Sequence, residues 1–125
     1  MSEHHCMVQR TSIDINTLVA AYLSTFPSEV RVDSVFLFGS FARGDQREDS
    51  DVDLLILSDD FKEMPFIKRL ELLSKLRNHP MTGEVAMDIF GYTPEEFERL
   101  ENESVIMRQA KKEGRFVWKR GDLNQ

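Results

Sequence analysis

The amino-acid sequence predicts an α/β sandwich, a small sheet with helices packed on it. Three observations point there. Apolar runs of strand length occur at residues 32–38 (VDSVFLF), 51–57 (DVDLLIL) and 84–90 (EVAMDIF). The stretches around and between them carry apolar residues at helical spacing instead. The two kinds of segment alternate along the chain, which suits helices covering one sheet.

Taken in order, Leu18, Val19, Tyr22, Leu23 and Phe26 recur at helical spacing from Ile15, with Ser12 as the cap and Pro27 as the stop. Residues 32–38 are rich in β-branched and aromatic side chains and read as a buried strand. They run straight into Gly39-Ser40, and residues 41–47 read as a short helix or turn. Residues 51–57 form a second strand, whose unbroken apolar end implies burial on both faces. Phe66, Ile67, Leu70, Leu73 and Leu76 place an amphipathic helix over residues 62–78, stopped by His79-Pro80. Residues 84–90 read as a third strand. Thr93-Pro94-Glu95-Glu96 opens a helix with Thr at the cap and Pro in the first turn. One helix or a broken pair then continues to Glu113, where Gly114 is a stop, and residues 116–119 supply a short edge strand.

A chain of 125 residues is read as a single domain, large enough to bury a core without a disulfide or structural metal. Residues 1–11, with His4 and His5, read as a flexible tail. Cys6 is the lone cysteine, which rules out an internal disulfide and fits a reducing compartment. No apolar run approaches the roughly 20 residues of a membrane span, and no signal-peptide core is visible. The cytoplasm is the expected location. Sixteen Lys and Arg against 22 Asp and Glu leave a net charge of −6. That balance argues against a non-specific grip on nucleic acid. It does not exclude a nucleotide, because a bound divalent metal reverses the local field.

The densest chemistry lies in GSFARGDQREDSDVDLLI, residues 39–56. Side chains alternate along a strand, so Asp51 and Asp53 project to the same side at the mouth of an apolar run. Left alone, two like charges there destabilise the strand or drive one pKa up. A divalent cation removes the conflict, since Mg²⁺ takes carboxylate oxygens together with substrate phosphate oxygens. Gly39 lets backbone N–H groups approach an anion with no Cβ in the way. A helix starting at Ser40 adds free N–H donors, and the Ser40 hydroxyl can donate to a phosphate oxygen. Singly, a Gly-Ser turn is usually only a turn and a D-x-D usually a solvated strand end. Together they give G-S-x10-D-x-D between two strands.

Asp88 is a further acid. In EVAMDIF, Ala86, Asp88 and Phe90 share one face, and a charge inside an apolar strand needs a partner or an outlet to water. Arg43 either counters phosphate charge or pairs with Asp45, Glu48 or Asp49. Arg47, Glu48 and Asp49 read as solvated loop, and Met107, Phe116 and Trp118 as packing residues.

The G-S-x10-D-x-D segment, with the strand leading into it and more loosely the EVAMDIF strand, resembles the nucleotidyltransferase superfamily that includes DNA polymerase beta. Within it the likeness is to the minimal nucleotidyltransferase (MNT) branch of HEPN/MNT toxin–antitoxin pairs. The resemblance implies the nucleotidyltransferase fold, a small mixed β-sheet flanked by α-helices. It implies transfer of AMP from ATP, with Asp51, Asp53 and Asp88 as catalytic ligands of two Mg²⁺ ions. Asp88 would complete the second metal site and take the proton. Gly39, Ser40 and Arg43 would hold the nucleotide. The implied acceptor is a tyrosine hydroxyl of a HEPN-type helical toxin, this chain being its antitoxin. Phe97, Leu100, Val105 and Ile106 would then supply a docking face, unless they are core.

Two other readings stay open. One is a nucleotide-binding antitoxin that neutralises its partner by complex formation alone, against which three costly carboxylates argue. The other is a nucleotidyltransferase for an aminoglycoside-type small molecule, with an acidic acceptor pocket from a second subunit. Homo-oligomerisation is compatible with each.

Overall fold

The computed structural model describes residues 13–121. The tail read at residues 1–11, with His4, His5 and Cys6, lies outside the described residues, as does Ser12. Helix α1 (Ile15–Leu23) is capped by Asp14, whose carboxylate accepts from the N–H groups of Asn16 and Thr17. The cap expected of Ser12 therefore belongs to Asp14, an equally good cap residue. The helix ends before Phe26, because Pro27 disfavours helical backbone at the residue it follows. Ser24 and Thr25 instead turn their hydroxyls onto the carbonyls of Ala21 and Tyr22.

The chain continues through β1 (Ser34–Phe38), a single helical turn α2 (Ser40–Arg43), β2 (Val52–Leu57), a 3₁₀ turn (Asp59–Phe61) and α3 (Phe66–Lys75). Then follow α4 (Pro80–Gly83), β3 (Met87–Tyr92), α5 (Pro94–Glu103), α6 (Val105–Glu113) and β4 (Arg115–Lys119). His79-Pro80 starts an element as well as closing a loop. The His79 ring accepts from the Met81 N–H, and Pro80 takes the first position of α4. That turn occupies the residues before β3, so β3 begins later than the expected 84–90. Helix α5 opens on a full capping box between Thr93 and Glu96. Ser104 breaks the long helix in two by capping α6 with its own side chain.

The four strands form one sheet in the order β3-β2-β1-β4. β1 runs antiparallel to both β2 and β4, and β2 runs parallel to β3. The sheet is therefore mixed, with β3 and β4 at its edges. On one face Val35, Leu37, Val52, Leu54 and Ile56 pack against Leu18, Val19 and Tyr22 of α1 and Leu73 of α3. The Tyr22 hydroxyl crosses this core to donate to the Leu73 carbonyl at 2.7 Å. On the other face Phe36, Leu55 and Leu57 meet Phe97 and Leu100 of α5. Each such burial contributes on the order of 1.5–3 kcal/mol, so the sheet is held from both sides. The apolar residues considered for docking divide: Phe97 and Leu100 are core, while Val105 and Ile106 are 72% and 79% exposed. Among the described residues no helix is long and apolar enough to cross a membrane.

Candidate active site

Register carries the candidate residues together. Phe38 of β1 pairs with Asp53 of β2, and Asp53 pairs with Asp88 of β3. These residues form one row across the sheet, on the face that α5 and α6 cover further along. Paired residues on adjoining strands point to the same side, so Asp53 and Asp88 are neighbours. Asp51 stands one residue before β2 begins and, by alternation, on the same side as Asp53. Asp53 is half-buried; Asp51 and Asp88 are exposed.

The chain leaves β1 at the end of that row. Gly39 has φ 76° and ψ −158°, a backbone region that L side chains rarely adopt. A Cβ built there would overlap the Asp53 carboxylate. Glycine is therefore required twice, for the turn and for the approach to the acid. The turn α2 follows at once, with the Ala42 and Arg43 N–H groups donating to the Gly39 carbonyl at 3.0 and 3.1 Å. The N–H groups that open such a turn have no partner within it. Gly44, in the left-handed region at φ 86°, ends it.

Like charge dominates the electrostatics. Burial first, then the charges of Asp88 and Asp51, push the Asp53 carboxyl up to about 6, while Arg43 pulls the other way. Loss of solvent, then Asp88 and Asp49, also raise Asp51. Arg43 is engaged elsewhere: its Nε donates to Asp45 and its Nη1 to Glu113, each at 3.2 Å. Pairing with Asp45 was one of the sequence alternatives. Glu113, at the end of α6, was not, and nothing local marks it. Glu113 is in turn fixed by Gln109 Nε2 at 2.8 Å. Arg47, Glu48 and Asp49 are exposed, as a solvated loop should be. Met107 and Trp118 pack against the two cores, and Phe116 sets its ring 5.1 Å from that of Phe36.

Among the described residues no three His, Cys, Asp or Glu side chains are arranged to hold a metal ion by themselves. The donor chemistry nevertheless fits a hard divalent ion. The donors are all carboxylate oxygens of like charge, and loss of solvent has already raised the cost of charge on Asp51 and Asp53. An ion shared with phosphate oxygens would complete such a set.

The family model described as nucleotidyltransferase domain matches residues 19–117. A Methanocaldococcus jannaschii protein provisionally named a protein adenylyltransferase is 52% identical over 46 residues, which span 37% of this chain and 43% of that protein. The protein adenylyltransferase MntA of Thermococcus cleftensis is 36% identical over 67 residues, covering 53% of this chain and 65% of its own. The chain thus spans less than two thirds of either relative. A solved toxin–antitoxin structure with AMP-PNP has a chain that superposes with a TM-score of 0.55 at 22% identity, over 90% of this chain and 78% of that one. At that identity the likeness is one of fold.

Proposed function

Because this chain belongs to the nucleotidyltransferase domain family, and to its minimal type, we propose that it transfers AMP from ATP to a tyrosine hydroxyl of a HEPN-type partner protein and so acts as that partner's antitoxin. One observation carries the reading: Asp53 lies in register with Asp88, on the side of Asp51, and against a glycine corner that has no room for a side chain. The relative named MntA and the toxin–antitoxin structure with AMP-PNP support the nucleotide and the kind of partner.

The residues divide the work. The Gly39-Ser40 corner would receive the β- and γ-phosphates through backbone N–H groups and the Ser40 hydroxyl. Arg43 would exchange part of its ion pairing for phosphate oxygens. Asp51, Asp53 and Asp88 would hold two Mg²⁺ ions, which supply neutralisation of the triphosphate and a lowered pKa for the acceptor hydroxyl. The acceptor oxygen forms a bond to the α-phosphorus as the bond from that phosphorus to the bridging oxygen of pyrophosphate breaks. The electron pair leaves with pyrophosphate, and Asp88 takes the acceptor's proton.

The test mixes the purified chain with a HEPN-type partner, ATP and Mg²⁺ and weighs the partner by intact mass spectrometry. The partner is expected to gain one AMP with the wild-type chain and none with Asp53→Asn, while both chains still bind it. A stable complex with no AMP on the partner would favour neutralisation by binding alone.

A further inference from the structure

Arg43 brings a positive charge to the acid-rich end of the sheet, and Asp53 feels it. It follows Ser40 by three positions on α2, so the two share one side of that turn. A long side chain there gives up much rotamer freedom when a ligand fixes it. Aiming the guanidinium beforehand lowers that cost.

Two carboxylates hold the guanidinium, and they differ. Asp45 accepts from Nε at 3.2 Å; it lies two residues on in the same loop and is 63% exposed. Glu113 accepts from Nη1, also at 3.2 Å; it comes from α6, 70 positions away, and is 29% exposed. Nη2 meets no acceptor among the described residues. One nitrogen with two N–H groups is therefore left for a ligand.

Glu113 is itself fixed. Gln109, one turn earlier on α6, donates from Nε2 to Oε2 at 2.8 Å, so one carboxylate oxygen takes Gln109 and the other Arg43. The end of the helix is clamped next to it. A Cβ built at Gly114 would overlap the Leu37 carbonyl and the Phe36 ring, and Arg115 pairs with Leu37 in the sheet. Leu37 stands two residues before Gly39, so α6 ends tied to the strand that delivers the glycine corner. The Gln109 hydrogen bond, then Arg43, hold the Glu113 carboxyl below the usual glutamate range, which keeps it charged.

We propose that Glu113 is a positioning residue for the nucleotide: held by Gln109 at the clamped end of α6, it aims Arg43 at the β- and γ-phosphates on the Gly39-Ser40 corner, and Asp45 is the partner that Arg43 gives up. The inference rests on the transferase reading and adds to its nucleotide site a residue from the far end of the chain.

The test measures binding of a non-hydrolysable ATP analogue with Mg²⁺ to the full chain by calorimetry, in a double-mutant cycle. Arg43→Ala should weaken binding about twentyfold and Glu113→Ala about fivefold. In the Arg43→Ala background, Glu113→Ala should add nothing, because it acts through Arg43 alone. Asp45→Ala should change binding by no more than about twofold. The melting temperature of Glu113→Ala should stay within about 2 °C of the wild type, since a solvent-facing ion pair stabilises little. In the AMP-transfer assay Glu113→Ala should raise the ATP KM about fivefold and leave kcat near wild type. Unchanged or tighter binding by Glu113→Ala, the same loss with and without Arg43, or a larger loss from Asp45→Ala would each overturn the positioning role. Absence of binding by the wild-type chain would instead remove the transferase reading, and this inference with it.

Discussion

Strand β3 meets charge at both of its ends, and the two ends treat it in opposite ways. Near its end, Arg69 is buried to 5% exposure and fully answered. It donates to both Glu96 oxygens at 2.7 and 3.1 Å, and to the carbonyls of Met64 and Gly91. Glu96 also closes the capping box of α5, and the Arg69 hydrogen bond holds its carboxyl below the usual glutamate range. Near the start of β3, Asp88 meets Asp53 and Asp51, and burial with like charge pushes Asp53 up to about 6. One end spends its charges on complementarity within the fold. The other keeps charges that make the fold less stable, the mark of groups placed for a ligand.

The comparison breaks most visibly in activity. Asp53→Asn should lower AMP transfer about 10³-fold, whereas Glu96→Gln should leave the rate near wild type when both are assayed well below their melting temperatures. Stability should show the reverse. Glu96→Ala strands a buried guanidinium and removes half of a capping box, so urea unfolding should show a loss of about 3 kcal/mol, or about 10 °C in Tm. Asp53→Asn should not destabilise the ligand-free chain. Gly39→Ala forces a side chain onto a positive φ and into the Asp53 carboxylate. It should cost about 1–2 kcal/mol and remove the thermal shift produced by ATP and Mg²⁺.

The smallest effect is in pH, and the two ends should slope oppositely. Asp53 has a raised native pKa, so the folded chain holds a proton that the unfolded chain releases. Its contribution to stability falls as pH rises from about 4 to about 6. Half-exposed, it is worth about 1 kcal/mol after solvent screening, well under the face value of the shift. Glu96 has a depressed native pKa, so its contribution is present above the unfolded value and lost as pH falls through the native one. Urea titrations across pH 3–8 check both: Asp53→Asn should flatten the decline above about pH 4, and Glu96→Gln should flatten the acid limb.

Much of this was legible in the sequence because it is local. The cores of β1 and β2 are unbroken apolar runs, and α3 and α5 show their faces at helical spacing. Asp51 and Asp53 are two residues apart, so their common side follows from the period of a strand. Asp88 was visible as a charge out of place in an apolar strand and as the third carboxylate that the family resemblance implies. What the sequence hid is long-range. Arg43 and Glu113 are 70 positions apart and Arg69 and Glu96 are 27 apart, and nothing near either partner announces the other. Asp14 and Ser12 are both good caps by residue type, and the spacing of apolar residues does not separate two candidates so close together. The late start of β3 depends on a turn at Pro80–Gly83 too short to show a period.

The central claim is that the Asp51–Asp53–Asp88 cluster is an ion and triphosphate site held in an unfavourable state. Carboxyl ¹³C titration of Asp53 tests it most directly. Without Mg²⁺ its midpoint should lie at about 6; with saturating Mg²⁺ and a non-hydrolysable ATP analogue it should fall below the ordinary aspartate value of about 3.9. An ordinary midpoint without the ion, or one that does not move when ion and nucleotide are added, would contradict the account.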